Sequence, residues 1–339
     1  MFAIDGTKVN VPWSDDNDRK LGNQTLSIQA KKRRRRRRRR SANSQAHLDL
    51  RPQILLTLAW HLGTGLSWSW KLGAVTDSER DHARQLLEEL PLGSLLVMDA
   101  GFTGYEFWRD VRKAGHQFVV RVGSNVKLLK KLGWKVQVRG EFVSLWPHRV
   151  ARRQEKPLVL RLLKFQGPKS TIFVATSVLS AHALSDRQLC EIYRQRWGIE
   201  GWFRSLKQTF GRRKMRSLIA EHALCELHWS IVGLSLIQLQ GVEALVAAGE
   251  SPQALSEAAA IRIVCSTVMH PDLTVSSLGT LRRRLQTAIV DSYQRSAPKA
   301  ARHVHRKRKT NAPGKPNILN ATKAQQQAAR QLQALQRAA

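Results

Sequence analysis

Residues 193–207 read Y-R-Q-R-W-G-I-E-G-W-F-R-S-L-K, a spacing of Y-x2-R-x3-E-x6-K. On an α-helix Tyr193, Arg196, Glu200 and Lys207 fall within about 60° of one another. Ile192, Ile199, Phe203, Leu206 and Phe210 form an apolar stripe beside them. Such a helix packs one face and presents a phenol, a guanidinium, a carboxylate and an ammonium along its edge. The cations suit phosphate oxygens, the guanidinium in planar, bidentate fashion. Two more carboxylates have suggestive settings. Asp99 ends the short apolar run 95–98, and Asp5 ends an opening strand just before Gly6. In open α/β sheets the carboxyl ends of strands face the crevice where chemistry is done. Three carboxylates, Asp5, Asp99 and Glu200, offer the hard oxygen ligands that Mg²⁺ prefers. With Tyr193, Arg196 and Lys207 to hold a phosphodiester, the set suits two-metal phosphoryl transfer. Each residue alone has a plainer reading. An Asp after a strand is commonly a turn residue. Glu200 can pair along its helix with Arg196 or Arg204, and Tyr193 can sit at a core edge.

These residues need elements to position them. Residues 1–12 read as two short strands joined around Asp5-Gly6, and 54–61 and 66–75 as two more. A helix is predicted over 78–90, a buried strand over 95–98, a helix over 104–114 closed by Gly115, and a strand over 117–122. Strand, helix, strand in that order predicts a parallel pair with a right-handed crossover. Alternation over 125–168 predicts a β-rich stretch, followed by a strand over 171–177, one long helix over 185–210 and a mostly helical, apolar region over 211–260. Residues 297–325 are basic and rich in Pro, Asn and Lys, which reads as a disordered or DNA-tracking tail, with a short helix in the last dozen residues. The fold class is α/β: a mixed sheet flanked by helices, with a β-rich insertion before the helix carrying Glu200 and a helical C-terminal region. The divisions expected are 1–124 as the first part of the core (12–50 a basic, mobile loop), 125–168 as the insertion, 169–215 as the second part of the core, 216–295 as the helical region and 296–339 as the basic, disordered tail.

The charge balance points the same way. The 339 residues carry 57 Lys plus Arg against 25 Asp plus Glu, a net +32. The run at 31–40 supplies ten of these charges, and +22 remains without it. Such an excess favours a polyanionic partner, because bound cations release counterions from phosphates; an anionic membrane surface or a ribosomal partner are the alternatives. Cys190, Cys225 and Cys265 are far apart and fit reduced thiols. His61, His82, His116 and His148 have no metal-ligand spacing and read as structural. Asp5, Asp15 and Asp16 interrupt any apolar opening, so no signal peptide is expected. Residues 229–248 are the most apolar stretch but contain Gln238, Gln240 and Glu243, and read as a buried helix, not a membrane span. The expected setting is the bacterial cytoplasm, on DNA.

The spacing Y-x2-R-x3-E-x6-K resembles the signature of the DDE transposases of bacterial insertion sequences, in the family numbered four. The segments A-I-D-G-T at 3–7 and V-M-D-A-G-F-T-G at 97–104 resemble the surroundings of that family's two aspartates, and G-T-G-L at 63–66 and S-E-R at 78–80 are also similar. The likeness covers roughly residues 2–240. It implies a ribonuclease-H-like fold, with the β-rich insertion lying between the second Asp and the Glu. It implies Mg²⁺, with Mn²⁺ substituting, held by Asp5, Asp99 and Glu200. The reaction implied is cut-and-paste transposition: cleavage at the element's ends and 3′-hydroxyl attack on target DNA, within a homodimeric synaptic complex. Related enzymes hold a flipped base with a Trp of the insertion, for which Trp134 and Trp146 are the candidates. Most members carry a DNA-binding region before the first Asp, where four residues stand here. The alternatives are a catalytically inactive remnant that only binds DNA and a nuclease of the same fold.

Overall fold

Short apolar runs dictate the sheet. The structure, a computed structural model, describes residues 1–22, 52–138, 140–167, 171–269, 279–290 and 313–338. The arginine run and most of the expected mobile loop lie outside the described residues. The strands are β1 (Phe2–Asn10), β2 (Gln53–His61), β3 (Ser67–Ala74), β4 (Leu95–Met98), β5 (Gln117–Val122), β6 (Lys127–Lys130), β7 (Val143–Leu145), β8 (Leu158–Gln166), β9 (Thr171–Thr176) and β10 (Asn317–Asn320). Hydrogen bonding orders them β10-β6-β7-β8-β9-β5-β4-β1-β2-β3. β1, β4 and β5 are mutually parallel neighbours, whereas β2–β3, β5–β9 and β8–β9 are antiparallel. This mixed sheet, with its flanking helices, is consistent with the ribonuclease-H-like expectation. The chain divides into two compact units: Met1–Asp5, Ala83–Trp197 and Thr310–Ala339 in the first, Gly6–His82 and Gly198–Lys309 in the second.

In the first unit, β4 and β5 are joined by α3 (Tyr105–Lys113), as the alternation of runs predicts. Tyr105, Phe107, Trp108 and Val111 are its buried face. Trp108 is fully buried and its indole N–H donates to the Phe102 carbonyl at 2.9 Å, so the large ring brings no unsatisfied donor into the core. Gly115 ends the segment at φ +81°, a left-handed conformation that costs other residues energy. The expected insertion is only partly strand, and it holds the short helix α4 (His148–Arg152). Residues 131–138 and 140–142, between β6 and β7, form no strand, because Gly133 and Gly140, both at positive φ, interrupt the alternation.

The tail departs from expectation more sharply. Residues 317–320 form β10, parallel to β6, with Ile318 opposite Leu128. They lead into α10 (Lys323–Ala338), whose Ala329 and Leu332 are buried. Gln333 of α10 grips the loop through both amide atoms: Lys135 N donates to its Oε1 at 2.9 Å, and its Nε2 donates to Lys135 O at 2.8 Å. A composition rich in Gln, Ala and Lys hid two short but specific contacts.

In the second unit, α2 (Glu79–Leu87) begins while α7 (Ala220–Ala247), α8 (Glu257–Met269) and α9 (Leu281–Leu285) supply the helical region. Ala244, Ala260, Leu285 and Ala288 form a core among them. Within the expected mobile loop lies a helix, α1 (Asp15–Leu21). The reason is local: Ser14 caps it, with Asn17 N donating to Ser14 Oγ at 3.0 Å, and Asp15, Asp16 and Asp18 face the positive end of the helix. The opening residues form one strand, not two, since Gly6 stays extended within β1.

Asp16 ties α1 to α7 by accepting the Ala220 N–H at 2.9 Å. That bond, then Arg19 and Lys20, hold its carboxyl down at about 2, from an ordinary 3.8. A depressed carboxyl contributes stability that is present above the ordinary value and is lost as pH falls through the folded one. Asp16→Ala should therefore melt below the wild-type protein at pH 7. The gap should close as pH falls from about 4 to about 2 in thermal unfolding by circular dichroism.

Candidate functional site

The register of β1 on β4 pairs Phe2 with Leu96, Ala3 with Val97 and Ile4 with Met98. Asp5 and Asp99 are the next residues on each strand, and Asp99 is still extended at φ −85° and ψ −174°. In-register residues of parallel strands share a face, about 4.8 Å apart along the hydrogen-bonding direction. The structure thus brings the two aspartates into register, Asp99 just past the carboxyl end of β4 and Asp5 inside β1, which runs on to Asn10 and does not end at Asp5 as expected. The register of β4 on β5 pairs Met98 with Val120, which puts Arg121 next in the same row. Arg121 was not singled out in the sequence; the signal available was a lone cation inside the run Q-F-V-V-R-V.

Two adjacent carboxylates repel, and the first unit answers with a cation from elsewhere in the chain. Arg196 is 5% exposed, and its Nη1 donates to Asp5 Oδ2 at 3.0 Å. The same guanidinium lies 5.3 Å from the ring centroid of Trp197. Asp99 is braced by its own turn, accepting the Gly101 N–H at 2.7 Å. Tyr193 is buried beside them. Burial pushes its phenol up, the Asp99 charge adds to this, and Arg196 and Arg121 oppose it. Asp5, Asp99, Tyr193 and Arg196 therefore form one polar cluster, with Arg121 as the member sequence reasoning missed.

Arg196 holds this position because the predicted long helix is broken there. α5 (Asp186–Gln195) opens with a capping box between Ser185 and Gln188 and ends at Arg196. The chain restarts as α6 (Gly198–Arg204) and then widens into a π turn, Ser205–Thr209. In the second unit a Cβ on Gly198 would lie 2.2 Å from Trp60 Cη2, so only glycine fits against that ring. The continuous helical wheel is thus split: Tyr193 and Arg196 belong to the first unit, Glu200 and Lys207 to the second.

In the second unit Glu200 stands in the first turn of α6, where a helix favours negative charge. Ile199, Trp202 and Phe203 are buried around it and fix the helix. Lys207 lies in the π turn, and its Nζ donates to Thr7 Oγ1 at 2.5 Å. Burial, then the nearby Arg213, lower its ammonium below the ordinary lysine range. The Glu79 carboxylate takes the space where a side chain on Gly6 would go, 2.5 Å from the Cβ position. The insertion's tryptophans differ. Trp146 is 5% exposed and its N–H donates to Glu155 O at 2.8 Å, whereas Trp134 is half-buried in the loop gripped by Gln333. His82 and His116 are buried and hydrogen-bonded to Thr57 and the Leu87 carbonyl, as structural histidines are.

Among the described residues no three His, Cys, Asp or Glu side chains gather as a metal-ligand cluster. The Asp5 and Asp99 pair still fits a hard divalent cation. Both offer hard carboxylate oxygens, and Mg²⁺ commonly takes only one or two carboxylates, with water and phosphate oxygens completing its shell.

Comparison with known proteins bears on this arrangement. The family model described as a transposase DDE domain matches residues 1–236. The chain is also similar to the transposase InsG for insertion sequence element IS4 of Escherichia coli (strain K12), 25% identical over 254 residues, which cover 72% of this chain and 52% of the relative. The chain spans about half the length of that relative.

The Asp5–Arg196 pair is open to test by substitution. Arg196→Met removes the buried guanidinium paired with Asp5 and should lower stability by about 3 kcal/mol or more, the usual cost of breaking a buried pair. Millimolar Mg²⁺ should restore more of the lost melting temperature in this variant than it adds to the wild-type protein, read by differential scanning fluorimetry.

Proposed function

We propose that this chain, which belongs to the family of transposase DDE domains, cleaves DNA at the ends of its own mobile element and transfers the freed 3′-hydroxyl ends into target DNA. The observation that carries the reading is the placement of Asp5 and Asp99 as the next in-register residues beyond the Ile4–Met98 pair of the parallel strands β1 and β4. Asp5, Asp99 and Glu200 would hold one or two Mg²⁺ ions, with Mn²⁺ as a substitute. When bound, such an ion supplies Lewis-acid activation of the nucleophile and charge stabilisation at the leaving oxygen. Tyr193, Arg196 and Lys207 position the phosphodiester, with the guanidinium and the ammonium on its oxygens. Arg121 adds a cation to the same row. Water attacks phosphorus in line in the first step, and the 3′-hydroxyl attacks in the second.

Of the two candidate tryptophans, Trp134 suits an extrahelical base better, since the Trp146 ring is buried and its N–H is already used. Double-stranded DNA is the partner, both element end and target, bound by a homodimer in a synaptic complex. The net charge of +32 supports that choice. The setting is the bacterial cytoplasm, on DNA. The helix α7 is long and apolar enough to cross a membrane by length and composition. Its buried Gln238, hydrogen-bonded on both sides, instead favours a core helix.

The test is a cleavage assay on duplexes carrying the ends of the encoding element, with Mg²⁺, Mn²⁺ and EDTA lanes. Metal-dependent nicking at the end is expected, absent in Asp99→Ala. Glu200→Gln should abolish cleavage and keep DNA affinity within about threefold, because it removes a ligand and no phosphate contact. DNA binding without cleavage in any lane would instead support the inactive-remnant reading. Cleavage without joining to target would support a nuclease.

A further inference from the structure

The π turn that carries Lys207 is fixed by a chain of buried polar groups that none of the roles above uses. The turn begins at Ser205, and Phe210 N donates to Ser205 O at 2.8 Å to close it. Trp202, on the same helix as Glu200, donates its indole N–H to Gln238 Oε1 at 2.9 Å. Gln238 Nε2 donates to Glu257 Oε1 at 2.5 Å. The Ser205 hydroxyl also bonds the Glu257 carboxylate. Trp202 and Gln238 are each 1% exposed.

The direction of this chain is forced. An indole N–H only donates, so the oxygen of Gln238 must face Trp202 and its NH₂ must face Glu257. Glu257 must then accept, as a carboxylate does. It stands at the first turn of α8, where the helix favours negative charge. Burial pushes its carboxyl upward, and the hydrogen bonds from Ser205 and Gln238 oppose that push.

We propose that Glu257 is a positioning residue for the reaction. Through Gln238 it holds Trp202 and the helix of Glu200, and through Ser205 it holds the π turn of Lys207. A π turn, closed by i→i+5 hydrogen bonds, is rare and is frequent at functional sites. Here it needs an anchor, and Glu257 is bonded to its first residue. The assignment of a catalytic consequence rests on the function proposed above; the anchoring of the turn does not.

Two readouts test the proposal. The first, hydrogen–deuterium exchange of the segment 205–210, is measured on the full chain without DNA or metal. Glu257→Met should speed exchange there by about tenfold, since it strands the donors of Gln238 and Ser205. Glu257→Gln should stay within about threefold of the wild-type protein, because its oxygen can accept from Gln238 while its NH₂ donates to the Ser205 hydroxyl. The second is single-turnover cleavage. Glu257→Met should lower the rate at saturating DNA by about tenfold with affinity nearly unchanged, and Glu257→Gln should restore it. Should Glu257→Met fail to fold, Ser205→Ala removes only the link to the turn and should show the same local exchange and the same loss of rate.

Exchange at 205–210 that is unchanged in Glu257→Met or Ser205→Ala would overturn the proposal. So would faster exchange spread evenly over the α7 and α8 segments, which marks a general packing role. Absence of cleavage by the wild-type chain would sink the proposed function and leave the exchange result standing.

Discussion

The parallel register of β1, β4 and β5 is the constraint from which the rest of the site follows. It sets Asp5, Asp99 and Arg121 in one row just beyond three buried apolar pairs. A row of this kind does not relax by rotating side chains away, because a shift of one residue would turn every buried group to the other face. Two carboxylates are therefore held side by side at strand spacing. Arg196 is the response: a buried guanidinium carried in by the end of α5 and aimed at Asp5. The break between α5 and α6 permits that placement, and where the chain restarts a glycine is pressed against Trp60.

Short buried strands were the most legible part of the sequence. The runs L-L-V-M and Q-F-V-V-R-V gave both strands of the parallel pair, because four to six apolar residues bounded by polar turns have few alternatives in an α/β chain. Asp99 could be placed from the same logic, as the residue that follows a strand, whereas Asp5 lies inside β1, which runs on through Gly6 to Asn10. The helix of residues 185–210 was misread because its amphipathic period is nearly continuous. Nothing in periodicity alone reveals that Trp60, far away in sequence, occupies the space beside Gly198. Arg121 escaped for a related reason: inside a strand, a charge is easily taken for an outward-facing residue, and only the register across β4 gives it its neighbours.

The second unit shows the use of polar groups inside an apolar helical layer. Composition makes α7 look featureless, with no lysine or arginine in its 28 residues. Its one fully buried amide, Gln238, joins the helix of Glu200 to α8 through bonds whose direction an indole dictates. Apolar packing would fill the same volume with comparable stability, but it would fix rotation and height less sharply than a chain of satisfied donors and acceptors. Chemistry that depends on where an ammonium and a carboxylate stand has use for such sharpness.

β10 also has a meaning in time. It lies beside β6, yet residue 317 follows residue 127 by 190 positions. At about 5–20 residues per second, a ribosome takes roughly 10–40 s to deliver that partner strand. Throughout this interval the emerging sheet presents an unpaired edge, the surface through which strands of separate chains pair wrongly. Every product arrested before residue 317 keeps that edge for good. Strand β10 thus reaches β6 late in synthesis, and chains interrupted before residue 317 have a physical reason to be lost to aggregation or degradation.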